Sequence, residues 1–318
     1  LVGTSKALEK AGAHSLMVGK LQEAVALREA GIRCPILNFG PFDRRDGAEI
    51  IRREISQSVF TEEAAFLEEA AAGLGKTASV HIDIDTGMGR AGVRWDDAAT
   101  LETLRAALRD GAACEGVFTH FHSAEADPVA CERQWQRFRA VIASLPSQPA
   151  LVHGANSAAA LRDAAYAGDL VRPGIFLYGG SAGVSPEPAP VAALRALVVA
   201  VRRVAAGDSV SYGATWTAAR ATTIATLGIG YADGTLRSLS NRGAVELAGG
   251  ARPIVGRVTM DMTMLDVGDA PVVPGDVGTL FGGCITLDAQ AAAAGTIAYE
   301  LLTALGRRVE RRYTGESG

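Results

Sequence analysis

Only four of the 318 residues are cysteine, and Cys34, Cys114, Cys131 and Cys284 lie too far apart to form a C-x-x-C pair. That spacing suggests neither a zinc site nor a disulfide framework, so no metal is expected and a reducing, cytoplasmic setting fits best. Lysine is as scarce: among 31 basic side chains the lysines are Lys6, Lys10, Lys20 and Lys76, and the rest are arginine. Net charge is small as well, 31 basic against 35 acidic groups for a formal −4, which gives the chain no electrostatic reason to seek nucleic acid or an anionic membrane. No stretch approaches the roughly 18 uninterrupted apolar residues that a membrane-spanning helix needs. Neither a G-x-G-x-x-G nor a Walker sequence is present. With 48% hydrophobic and 21% charged residues the composition is that of a folded globular protein, and the length suggests two domains.

From residue 1 to about 185, short apolar runs alternate with amphipathic helical stretches, the rhythm of successive βα units and a parallel sheet. Candidate strands fall at 14–19, 34–39, 56–60, 78–84, 114–119, 149–153 and 168–172. Seven such units are one short of a closed (β/α)₈ barrel, and residues 1–12 read as a helix whose preceding strand is absent. Between the strands lie helical patterns such as 20–31, with Gly31 at its C-terminal cap. Residues 181–190, rich in Ser, Gly and Pro, read as a connector. Beyond it the runs at 195–204, 222–229, 243–248, 252–258 and 276–281 are β-branched and separated by turns, which predicts an all-β domain over 186–318 closed by a helix near 290–305.

In a parallel barrel, function collects where the βα loops converge, at the C-terminal ends of the strands. The polar residues follow the strands in that way. Asp85-Thr86-Gly87-Met88-Gly89-Arg90 follows 78–84, His120 and His122 follow 114–119, Asn156 and Ser157 follow 149–153, and Arg172-Pro173-Gly174 closes 168–172. The segments 153–157 (HGANS) and 172–175 (RPGI) add small residues, a hydroxyl and backbone N–H groups, a combination suited to a phosphate.

Segments 85–91 (DTGMGRA), 119–121 (THF), 153–158 (HGANSA), 171–178 (VRPGIFLY), 210–215 (VSYGAT), 229–234 (IGYADG), 256–261 (GRVTMD) and 299–302 (YELL) run through nearly the whole chain. In this order and composition they resemble the alanine racemase family, fold-type III enzymes that use pyridoxal 5′-phosphate. The resemblance implies interconversion of L- and D-alanine, feeding D-alanine to peptidoglycan, in a head-to-tail homodimer. Inversion must take the α-proton from one face and return one to the other, so two acid/base groups are the minimum. In the family these are the lysine that binds the cofactor and a tyrosine of the partner subunit, here matched by Tyr212. A phenol with a pKa of about 10 is a poor base at neutral pH, so neighbours must favour its ionised form; the pattern points to His120 and Arg172. Arg172 is implied to donate to the pyridine nitrogen, where a fixed cation keeps the ring from being protonated and weakens it as an electron sink. By the same resemblance Ser157, Gly174, Ile175 and Tyr299 hold the phosphate and His120 lies against the ring. Arg90 lies near the phenolic oxygen and the substrate carboxylate, and Met260, Asp261 and Tyr231 of the partner narrow the pocket to a small side chain. A serine or broad-specificity racemase on the same scaffold, a noncatalytic pyridoxal-phosphate carrier and a fold-type III decarboxylase are the rival readings. The 210–215 block favours racemisation.

Two positions depart from the family pattern. Many members carry at position 83 a lysine modified to a carbamate, whose charge restrains the arginine matched by Arg90; Asp83 is expected to supply that charge unmodified. None of the four lysines sits in the cofactor-lysine motif, which in the family lies about a dozen residues before the first helix. Lys20, after strand 14–19, is a remote substitute. The expectation is therefore a sequence that starts late in a complete racemase, with two barrel edges left unpaired and a tendency to aggregate.

Overall fold

The computed structural model describes residues 1–60, 63–109 and 114–314. The chain divides into two compact units, one formed by Leu1–Pro173 with Gly183–Ser185 and the other by Gly174–Ala182 with Pro186–Gly318. The first unit runs α1 (Val2–Lys10), β1 (Leu16–Val18), α2 (Leu21–Glu29), β2 (Ile36–Asn38), α3 (Gly47–Arg52), β3 (Ser56–Val59), α4 (Glu63–Gly73), β4 (Val80–Asp85), β5 (Val93–Arg94), α5 (Ala98–Arg109), β6 (Gly116–Phe118), α6 (Pro128–Ala143), β7 (Leu151–Asn156), α7 (Ser157–Arg162) and β8 (Leu170–Arg172). Its strands pair in parallel in the order β1-β2-β3-β4-β6-β7-β8, the (β/α) barrel sheet that the alternating runs predict. All seven anticipated strands are present. The two-residue β5, which pairs with β4, is too short to stand out from its loop.

Local chemistry sets these elements. Helix α2 ends on Ala30, and Gly31 beyond it takes φ +87°. The N–H of Gly31 bonds to Arg28 and that of Ile32 to Leu27, so the last carbonyls are satisfied while buried Leu27 and Ile32 close over the turn. Asp127 caps α6 by accepting from the Ala130 N–H at 2.9 Å, with Pro128 supplying a preset φ at the first helical position. Trp135 and Phe138 on that helix are buried. The strands bury Ile36, Val80, Ile82, Ile84, Val117 and Phe118, but also the polar side chains of Asn38, Gln57, His81, Asp83 and His153.

The second unit contains β9 (Leu194–Val204), β10 (Ser209–Val210), β11 (Trp216–Thr217), β12 (Thr222–Leu227), β13 (Ala244–Leu247), β14 (Gly250–Pro253), β15 (Thr263–Asp266), β16 (Val277–Phe281), α8 (Leu287–Ala294) and α9 (Ala298–Ala304). Six strands form a sheet in the order β14-β13-β16-β9-β12-β15, over a core that includes Leu194, Val198, Leu227, Leu247, Leu265 and Phe281. The strand anticipated at 252–258 lies at Gly250–Pro253 instead, because Ala248 and Gly249, at φ 50° and 71°, make a two-residue turn that sets Leu247 opposite Gly250. The helix anticipated near 290–305 is two helices, parted where Gly295 turns left-handed at φ 73°. Among the described residues no helix is long and apolar enough to cross a membrane.

Candidate active site

Strand β8 ends on Arg172, and the sequence closes it there because Pro173 has no N–H for the ladder. The guanidinium is tied down from three directions. Nη1 meets His153 Nδ1 at 2.5 Å, while Nη2 donates to the carbonyls of Thr119 at 2.7 Å and Gly154 at 3.2 Å. Its carbon also lies 5.3 Å from the centre of the Phe118 ring. Burial lowers its pKa to about 10, which still leaves it a cation at neutral pH.

Around it the ends of β4 and β6 place three further charge-bearing groups. Asp83 on β4 is buried, and burial pushes its carboxyl up to about 7 against the opposing pull of Arg172 and Arg90. The pull acts through space: among the described residues no hydrogen bond joins Asp83 to either arginine. Arg90 is exposed on the loop after β4, its guanidinium 5.7 Å from the centre of the Phe39 ring. His120 follows β6; burial first, then the charges of Arg172 and Arg90, hold its imidazole down to about 4, so it is neutral at pH 7. Gln134 of α6 fixes this loop by donating to the His120 carbonyl at 3.0 Å and to Thr86 Oγ1 at 3.1 Å while accepting from the His122 N–H at 3.1 Å. The structure thus brings Arg90, His120, Arg172 and Asp83 within electrostatic reach of one another. It also adds Gln134, which the sequence reading did not name, and Thr119 and His153, which it quoted within 119–121 and 153–158 without giving them a role of their own. Their signal was a polar side chain inside an otherwise apolar strand or helix face.

The anticipated phosphate residues fall in both units. Ser157 is buried at the start of α7, where Asn156 caps the helix by accepting from the Ala159 N–H at 3.0 Å. Gly174, Ile175 and Tyr299 belong to the second unit. Gly174 has open space where a side chain would be, Ile175 packs its side chain into the same core as Ala298, and Tyr299 next to Ala298 is half exposed.

Tyr212, Tyr231, Met260 and Asp261 lie on three adjoining loops of the second unit. Ser211 Oγ donates to the Arg257 carbonyl at 2.7 Å, and the N–H groups of Tyr231 and Ala232 donate to the carbonyls of Thr259 and Met260. Arg308 grips two of these loops through Asp233 and Asp261. Tyr212 is 74% exposed, and Tyr231 and Met260 are exposed as well. Its backbone setting is strained: Ser211, Gly213 and Ala214 have φ of 68°, 72° and 45°.

The sequence matches the family "Alanine racemase, N-terminal domain" over residues 1–182 and "Alanine racemase, C-terminal domain" over residues 191–313. An alanine racemase of Sorangium cellulosum is 41% identical over 97% of this chain and 86% of its own length. The chain belongs to the alanine racemase family. Another alanine racemase, from Desulfosudis oleivorans, is 40% identical over 98% of this chain and 86% of its own. Among solved structures, the alanine racemase from D-cycloserine-producing Streptomyces lavendulae superposes with a TM-score of 0.92 at 34% identity, covering 99% of this chain and 87% of that one. The alanine racemase of Bartonella henselae with covalently bound pyridoxal phosphate superposes at 0.88 and 30% identity, covering 98% and 89%.

Proposed function

We propose that this protein interconverts L- and D-alanine with pyridoxal 5′-phosphate, as a head-to-tail homodimer in the cytoplasm that supplies D-alanine for peptidoglycan. The observation that carries the reading is Arg172, a cation held at a barrel strand end by two carbonyl oxygens and a histidine nitrogen, with neutral His120 and buried Asp83 around it. The four cysteines are free thiols, which a reducing compartment preserves.

The residues present fit the cofactor. A guanidinium has donors and no acceptor, so Arg172 suits an unprotonated pyridine nitrogen; for a phosphate, Ser157 in the first unit offers a hydroxyl, and in the second unit Gly174 offers open space and Tyr299 a hydroxyl. When bound, pyridoxal phosphate makes the α-proton acidic by drawing charge from the α-carbon. Arg172, as a fixed donor, would face the ring nitrogen of the cofactor and keep it unprotonated. His120, neutral at pH 7, would lie against the ring without adding a second cation. Tyr212 of the partner subunit moves the proton on the face used by the L-isomer. Arg90 orients the substrate carboxylate, and Met260, Asp261 and Tyr231 of the partner subunit restrict the side chain to a small one.

Deuterium exchange at the α-carbon tests this. The protein expressed from its own gene, loaded with pyridoxal phosphate in D₂O, should label L- and D-alanine and invert either one. Failure to exchange any amino acid would remove the reading.

A further inference from the structure

We propose that Glu115, His81 and His153 form a hydrogen-bond relay of fixed direction, buried at both imidazoles, that holds Arg172 in place as a cation, making all three positioning residues for the group at the ring nitrogen. This rests on the functional reading above for its purpose and on geometry alone for its existence.

The chain of contacts is continuous through the barrel interior. Arg172 Nη1 meets His153 Nδ1 at 2.5 Å, His153 Nε2 meets His81 Nδ1 at 2.9 Å, and His81 Nε2 meets Glu115 Oε2 at 3.3 Å. The same carboxylate accepts from Ser56 Oγ at 3.0 Å and from Ser79 Oγ. Its direction is set from both ends. A guanidinium can only donate, so His153 Nδ1 must offer a lone pair and its proton must sit on Nε2. That proton points at His81 Nδ1, which must in turn be bare, so the His81 proton sits on Nε2 and faces the carboxylate. An ionised carboxylate can only accept, which closes the series without a conflict. Either imidazole in the opposite tautomer, or doubly protonated, sets two donors or two acceptors against each other.

Packing shows that the series is built in. His81 and His153 are 4% and 1% exposed. Gly116 lies opposite His81 in the ladder, and a Cβ there would come within 2.5 Å of His81 Nδ1, so only glycine leaves the ring room to reach His153. Phe118, two residues on, stacks against the His153 ring at 5.2 Å and 9° and lies under the Arg172 guanidinium. Barrel interiors are ordinarily layers of Val, Ile and Leu, where an unsatisfied polar group is costly. Here the layer carries a satisfied polar series. The charges agree with it: burial and the Arg172 charge hold His153 down to about 2, and the hydrogen bond from His81 holds Glu115 at about 2. A fixed anion at one end and a fixed cation at the other are thus joined by two neutral rings. Arg172 cannot turn aside without stranding a buried nitrogen.

Histidine ¹⁵N spectra of the purified protein without added cofactor test the relay directly. Both His81 and His153 should show a bare Nδ1 and a protonated Nε2, and His153 should keep this state between about pH 5 and pH 8, where free imidazole titrates. Either ring found with its proton on Nδ1, or His153 titrating in that range, overturns the proposal. The purpose is tested with pyridoxal phosphate bound. His153→Leu should lower kcat for alanine about tenfold or more and leave KM within about twofold, the size of effect seen when the partner behind a ligand is lost. It should also shift the absorbance of the bound cofactor. His153→Asn, whose carboxamide oxygen replaces the acceptor for Arg172, should recover much of both. Equal melting losses in the two variants with an unmoved spectrum would mean packing alone and overturn the positioning role. Absence of racemisation in the unaltered protein would refute the functional reading instead, while the nitrogen shifts still decide the relay.

Discussion

Asp83 carries its charge late. In the folded protein burial holds it protonated up to about 7, whereas unfolded it ionises near 3.8, so between those values the native state binds the extra proton. Its contribution to stability is therefore present below about pH 4 and is lost as the pH rises through about 7. His120 runs the other way. Its folded value of about 4 lies below the ordinary 6.5, so its contribution is present above 6.5 and is lost as the pH falls toward 4. Because the two slopes oppose each other, the informative quantity is the difference in melting temperature between the unaltered protein and Asp83→Asn. That difference should move against the unaltered protein from pH 4 to pH 7, by on the order of 3 kcal/mol of stability in all. A difference independent of pH would mean Asp83 is ionised throughout, as the sequence alone suggests. At Tyr212 the expectation concerns direction. Tyr212→Phe should slow deuterium exchange from L-alanine by roughly 10²-fold or more, with a smaller effect starting from D-alanine. Equal residual exchange from both isomers would count against its role. Tyr212 was legible because it sits in an exposed motif loop, and His120 because it directly follows a strand. The elevated Asp83 carboxyl was not, since burial at a strand end cannot be read from residue type.

Elements were legible in proportion to their length and regularity. The seven barrel strands all appear where they were anticipated, most of them around short apolar runs such as Leu16–Val18 and Gly116–Phe118. Strands β5, β10 and β11 have two residues each, and β15 (Thr263–Asp266) follows a motif loop without a break in composition, so no periodicity announces them. The 290–305 helix was split by a single left-handed glycine, which the apolar composition on either side of it conceals. The polar series from Glu115 to Arg172 escaped for a related reason. Its members come from four separate strand segments, and only the register that sets His81 beside Gly116 and Phe118 beside His153 brings them into line. That register makes a test at the scale of a strand. Gly116→Ala should destabilise the protein by about 1–3 kcal/mol, the usual cost of overpacking, because the methyl meets the His81 ring. A melting temperature equal to that of the unaltered protein would show that the ring moves away freely.

Across the whole molecule, the proposed assembly makes each site a joint product of two chains. Arg172→Ala and Tyr212→Phe should each give a crippled homodimer. Mixed after unfolding and refolded together, they should regain about a quarter of normal activity, because half of the dimers are mixed and each mixed dimer has one site with both residues intact. No recovery would mean that Tyr212 serves its own chain's barrel. The loop that carries Tyr212 bears on the protein's heat tolerance as well. Two of its residues, Ser211 and Ala214, hold left-handed backbone that an L-side chain resists at a cost of roughly 1–2 kcal/mol each. Ala214→Gly relieves that resistance without removing a side-chain hydrogen bond, so it should raise the melting temperature while blurring the aim of the phenol. The ordinary sequence, on this account, has traded endurance for a steady hand.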